Sequence, residues 1–122
     1  MIKIEYKDKQ VFHSCNAVVW HPILIDVVIW IVELYNDYEK PFVITEGSRK
    51  PLHPNDLHGV IKLRAIDARS WVIRTPDIIA ADINRNWIYD PKRPSKTVCV
   101  YHDTGSGDHF HIQVHPNTYL II

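Results

Sequence analysis

A chain of 122 residues that is 46% hydrophobic and 23% charged has the make-up of one folded domain with a single core, which excludes a disordered segment. Its 14 Lys and Arg residues balance 14 Asp and Glu, leaving no basic excess of the kind a nucleic-acid-binding surface needs. Two cysteines, Cys15 and Cys99, are too few for a disulfide scaffold and are expected as free thiols.

Residues 1–7 alternate polar and apolar side chains and lack the apolar core of a signal peptide, so synthesis in the cytosol is expected. Residues 2–6 and 9–13 read as a short strand pair turning at Lys7-Asp8-Lys9. Pro22 suits the first turn of a helix running to about Tyr38. Asp26, Glu33 and Asp37 fall on one stripe of that helix and the rest is apolar, which predicts burial over most of its surface with Trp30 and Leu34 in the core. Its most apolar run, 23–32, is interrupted by Asp26 and is far shorter than the ~20 residues of a membrane span, so no membrane partner is expected.

Pro41 ends the helix, and Phe42-Val43-Ile44 reads as a short buried strand leading to a turn at Gly47-Ser48-Arg49. Two prolines and an Asn-Asp pair make 50–56 an irregular loop. Along 63–68 the pattern is that of a strand, with Arg64, Ile66 and Ala68 on one side and Ala65 and Asp67 on the other. Thr75 is placed to cap a helix that opens at Pro76 and runs to about Tyr89. Residues 90–96 form a proline-containing surface loop, in which Lys92, Arg93 and Lys96 read as a solvated basic cluster. Two further strands, 97–102 and 109–115, are joined by a Gly-rich connection. Strands and helices do not alternate regularly, so the expected fold is α+β, a mainly antiparallel sheet with helices packed to one side.

The residues with chemistry to offer concentrate in Asp108-His109-Phe110-His111. In an extended segment His109 and His111 share a face, and a metal held there needs a third ligand from elsewhere. His58 and Asp67 are the candidates. The set His58, Asp67 and His111 would leave one zinc position open for water, a hydrolase arrangement. A carboxylate in the apolar stretch around Asp67 needs a cationic partner, which a metal, Arg64 or Arg69 would supply. Asp108 is the candidate general base and His109 a supporting donor to an oxyanion or a substrate carboxylate. His53, five residues before His58, is an alternative ligand, and His115 is expected at the far end of its strand, away from the metal. A cupin-type oxygenase would need a Glu soon after the His-x-His, and Ile112-Gln113-Val114-His115-Pro116 contains none.

Three segments taken in order carry a family resemblance: Thr45-Glu46-Gly47-Ser48-Arg49-Lys50-Pro51, then His58-Gly59 with Arg64-Ala65-Ile66-Asp67, then Asp108-His109-Phe110-His111. They resemble the motifs of zinc D-Ala-D-Ala carboxypeptidases and L-alanyl-D-glutamate endopeptidases of the Hedgehog/DD-peptidase fold. The resemblance spans residues 42–115. Eight residues separate His58 from Asp67, two more than the family pattern has, and Asp56 stands where that pattern has Ser. An insertion of two preserves strand-face parity.

The resemblance implies a Hedgehog/DD-peptidase-like fold and a zinc ion held by His58, Asp67 and His111. It also implies that Arg49 meets an anionic substrate group, a task suited to an always-charged, bidentate guanidinium. The activity it implies is hydrolysis of an amide bond in peptidoglycan stem peptides by a monomeric, single-domain lysin. Such a protein acts on the cell wall after release from the cytosol, or as part of a virion. The competing expectation is an inactive cell-wall-binding or virion structural module that keeps the fold, with or without the metal.

Overall fold

A computed structural model describes residues 4–48, 54–59, 62–70, 75–103 and 107–121. In chain order the elements are β1 (Ile4–Tyr6), α1 (Lys9–Asn16), α2 (Pro22–Asp37), β2 (Phe42–Glu46), a 3-10 turn (Leu57–Gly59), β3 (Ala65–Arg69), α3 (Pro76–Asn86), β4 (Trp87–Ile88), β5 (Cys99–Asp103), β6 (Asp108–Gln113) and β7 (Tyr119–Leu120). Five strands form one sheet in the order β1-β2-β3-β6-β5. Its only parallel pair among the described residues is β1 with β2, strands separated by the two helices a parallel connection requires. The architecture is therefore α+β, with a mixed, mostly antiparallel sheet and three helices.

Alternation along the strands sorts the sheet into two faces. Ile44, Ile66, Ala68, Phe110 and Ile112 occupy one face and are fully buried. They join Leu24, Val27, Ile31 and Tyr35 of α2, Ile79 and Ile83 of α3, and Cys15 of α1 in a single apolar cluster. Burying each large apolar side chain of this kind contributes ~1.5–3 kcal/mol. Asp67, His109, His111 and Gln113 alternate onto the other face.

Four expectations need correction. Residues 9–13 belong to helix α1 rather than to a strand, because Asp8 is extended and its carboxylate accepts the Val11 N–H at 2.9 Å, capping the helix start. In α2 the buried stripe is Leu24, Val27, Val28, Ile31, Val32 and Tyr35, while Trp30 and Leu34 lie half-buried at its margin. Thr75 precedes α3, but its side chain makes no capping hydrogen bond. Helix α3 stops at Asn86 rather than near Tyr89, because Trp87 and Ile88 turn extended to pair with Leu120 and Tyr119 in a two-stranded ribbon.

Both cysteines are free and buried. Burial pushes the Cys99 thiol up to about 12. Burial is also the main cause that pushes Cys15 up to about 11, with a smaller push from Glu46 and a Ser14 hydrogen bond opposing. No helix among the described residues is long and apolar enough to cross a membrane.

Candidate metal centre

The register of β3 on β6 sets Asp67 directly opposite His111 and Arg69 opposite His109. Across β6, the β5 hairpin sets His102 opposite His109. At the edge of β2 one extra residue separates the pairs Ile44–Ala68 and Glu46–Asp67, a bulge beside the Asp67 position. Sheet register alone thus gathers a carboxylate and three imidazoles on the face turned away from the apolar core.

The third ligand candidate arrives from the loop. His58 sits on the 3-10 turn and is 1% exposed. Asp56 holds that turn, its Oδ1 accepting the His58 N–H at 3.1 Å. The residue standing where the family pattern has Ser is therefore a turn cap. Despite the two additional residues, His58 Nε2 lies 3.3 Å from Asp67 Oδ1. His58 fills the position, while His53 and Arg49 lie outside the described residues.

Hydrogen-bond partners assign the tautomers of both ligand histidines. His58 Nδ1 is 2.7 Å from the Gly47 carbonyl, which can only accept, so Nδ1 carries a hydrogen and Nε2, a lone pair when the ring is neutral, faces Asp67. That Nε2 is buried and has no hydrogen-bond partner. Gln113 donates its amide N–H to the Thr97 carbonyl at 2.8 Å, leaving its Oε1 3.2 Å from His111 Nε2. His111 therefore donates from Nε2, and its Nδ1, a lone pair when the ring is neutral, faces Asp67 Oδ1 at 2.9 Å. With both rings neutral, two nitrogen lone pairs and a carboxylate oxygen converge on one point, which repels unless positive charge sits among them.

A pair of ring protons or a metal ion would satisfy that demand. The three ligand atoms lie within 4.8 Å of one another, so His58, Asp67 and His111 could hold a metal ion. Ring nitrogens held by outer hydrogen bonds are the usual support of such a site, and three protein ligands leave a position for solvent. In the metal-free chain burial pushes the Asp67 carboxyl upward, but the N–H groups and positive charge that His111 and His58 present once their rings are protonated outweigh it and hold Asp67 well below the usual carboxylate range. The donor set and the orphaned Nε2 both fit a divalent cation.

The other predicted residues divide. His109 joins the site, its Nε2 3.8 Å from Asp67 Oδ2. Asp108 does not join the trio. Three residues before His111 is an odd offset, so alternation turns Asp108 to the Phe110 face, where the Tyr101 hydroxyl donates to its Oδ2 at 2.5 Å. His115 lies elsewhere, as expected, with Nδ1 3.7 Å from Asp90 Oδ2.

Sequence reasoning misses three contributors. His102 Nε2 lies 2.9 Å from His109 Nε2, so the two rings share one hydrogen. Gln113 and Gly47 set the tautomers of His111 and His58, and Gly47 has a second constraint. A Cβ there would collide with Cys15 Sγ. No side-chain pattern announces these roles, which arise from register and from contacts between distant segments.

Comparison with models of known families, with characterised proteins and with solved structures finds no match to this chain.

Proposed function

We propose that this protein is a zinc-dependent hydrolase of amide bonds, with peptidoglycan stem peptides as its substrate. The observation that carries the reading is the convergence of His58 Nε2 and His111 Nδ1 on Asp67, with His58 Nε2 buried and without a hydrogen-bond partner. Two imidazoles and a carboxylate suit zinc, and the order of the three sequence motifs supports the peptidase class and a Hedgehog/DD-peptidase-like fold. A bound zinc ion supplies a Lewis acid that polarises a carbonyl and renders water nucleophilic near neutral pH.

The chain's own residues divide the remaining work. Gly47 and Gln113 hold the two ligand rings in the tautomers that face inward. His109 replaces Asp108 as the nearest proton carrier, since its Nε2 faces both Asp67 and His102. The His102–His109 pair can take up one proton at a ring nitrogen and return it to a leaving amine. Arg49 is assigned the anionic end of the substrate. A binding module without turnover is the second reading, and the placement of Asp108 away from the trio favours it.

Purified protein should carry about one zinc per chain by elemental analysis and release muropeptides from cell walls, detected by mass spectrometry. Chelation should stop release and zinc should restore it. Zinc-loaded protein that associates with walls of several chemotypes and frees nothing decides for the binding module. Protein that takes up no zinc overturns the hydrolase.

A further inference from the structure

On the Gln113 side of the trio the sheet opens into a cavity of about 450 Å³. Arg64, Tyr89, Arg93, Lys96, Gln113 and His115 line it, with Pro54, Asn55 and Leu57 closing one wall. The basic loop that reads as solvated in sequence thus turns two of its three cations, Arg93 and Lys96, toward a shared space with Arg64. Opposing them is Asp90, which is buried and already engaged. It accepts the Lys92 N–H at 3.1 Å and the Asn117 amide at 3.4 Å, and pairs with Arg93 at 3.5 Å and His115 at 3.7 Å. The wall therefore keeps a positive excess.

Arg64 carries a second signal. Its Nε is buried and has no hydrogen-bond partner. A buried donor left unsatisfied is costly, and more so on a charged group, so such a group is better matched by a ligand than by the folded chain alone. The cavity is also joined to the metal centre. Gln113 lines it and at the same time accepts from His111 Nε2 at 3.2 Å. Residues two apart on a strand stand about 7 Å from each other, the span of roughly two residues of an extended peptide.

We propose that this cavity is a subsite for a carboxylate group of the substrate, about two residues removed from the bond attacked at the trio. It relies on the hydrolase reading for what the carboxylate belongs to, though not for the binding itself. Arg64 and Arg93 offer planar, permanently charged donors, and Lys96 a mobile point charge at the rim. A phosphate shares that chemistry, so the test includes both anions.

Full-length, isotopically labelled protein would be titrated with glutarate, with glutaramide as its neutral counterpart, and with inorganic phosphate. The signals to follow are the Arg64 Nε–H, the Gln113 amide and the His115 ring. Glutarate should shift all three saturably and glutaramide none, with phosphate binding at least about 10-fold more weakly. Arg64→Gln should weaken glutarate about 10-fold, the loss of one charge-assisted hydrogen bond. Lys96→Gln, an exposed change that leaves folding intact, should weaken it about 3-fold.

Equal binding of glutaramide, no shift at Arg64, or unchanged affinity in both variants overturns the subsite. Phosphate binding as tightly as glutarate overturns the carboxylate assignment. Glutarate bound here by a protein that cleaves no wall leaves the subsite standing and removes the proposed reaction. Wall cleavage with no response at Arg64 does the reverse.

Discussion

The two faces of the central sheet are built from alternate residues of the same strands and follow opposite physical rules. On one face Ile66, Ala68, Phe110 and Ile112 are buried against three helices, and nothing about them requires a ligand. On the other, Asp67, His109 and His111 are only partly exposed and crowd one another at 2.9–3.8 Å. The first face stabilises the fold by losing water. The second holds ring nitrogens against a carboxylate, an arrangement that ring protons or a metal ion must neutralise. The apolar face thus serves as the rigid support on which a strained polar cluster can be kept, as a preorganised site requires.

The sharpest way to break this comparison is to truncate neighbours that point to opposite faces. Phe110→Ala should cost ~3–5 kcal/mol, through lost burial and the cavity left behind. Urea denaturation should show the loss as a lower midpoint. His109→Ala, one residue away, should change stability by under ~1 kcal/mol while impairing any proton transfer. Similar losses in both variants would show that the polar face is part of the core after all.

Metal addition sharpens the comparison from the other side. A cation that binds only the folded chain, supplied at ~100 times its dissociation constant, stabilises by ~2.7 kcal/mol. Zinc should therefore raise the midpoint of thermal unfolding, and His58→Ala or His111→Ala should abolish the rise. An unchanged midpoint over a series of divalent ions would mean that ring protons, not a metal, neutralise the cluster.

A smaller effect is expected one shell further out. Gln113→Leu removes the acceptor that keeps the His111 hydrogen on Nε2, so Nδ1 is no longer held as the inward lone pair. Zinc affinity, measured by competition with a chelating dye, should fall about 10–100-fold with the fold intact. Full affinity in this variant would mean that the trio sets its own tautomers.

These elements also show what is legible in a sequence. Helix α2 is legible because Pro22 opens it and 16 consecutive residues keep their apolar stripe. Helix α1 is harder, since alternation across residues 2–13 imitates strands; Asp8, three residues before the N–H it caps, is the local signal that decides. The end of α3 is set by Tyr119 and Leu120, some thirty residues distant, which no window around Asn86 contains. In the site, His58, Asp67 and His111 are legible because their types and order suffice. His102 and Gln113 become partners only through the β5–β6 register and a contact with Thr97. Asp108 shows the converse, a residue of suitable type whose strand parity turns it away.

The smallest and most gradual expectation is that the two faces govern opposite ends of the pH–stability curve of the metal-free protein. Asp67 is held below its ordinary value of 3.8. Its contribution is therefore present above that value and is lost as pH falls through the lower folded-state one. On the apolar side the shifts run the other way. Burial raises Tyr35 and lifts Cys99 from an ordinary 9.0 to about 12. The unfolded chain can ionise these groups at their ordinary values while the folded chain cannot, so stability should decline as pH climbs above about 9. Urea midpoints measured across pH should show both limbs. Asp67→Asn should flatten the acid limb and leave the alkaline one, and Cys99→Ala should do the opposite. If Asp67→Asn flattened both limbs equally, the faces would be coupled electrostatically, and their separation by the sheet would not hold.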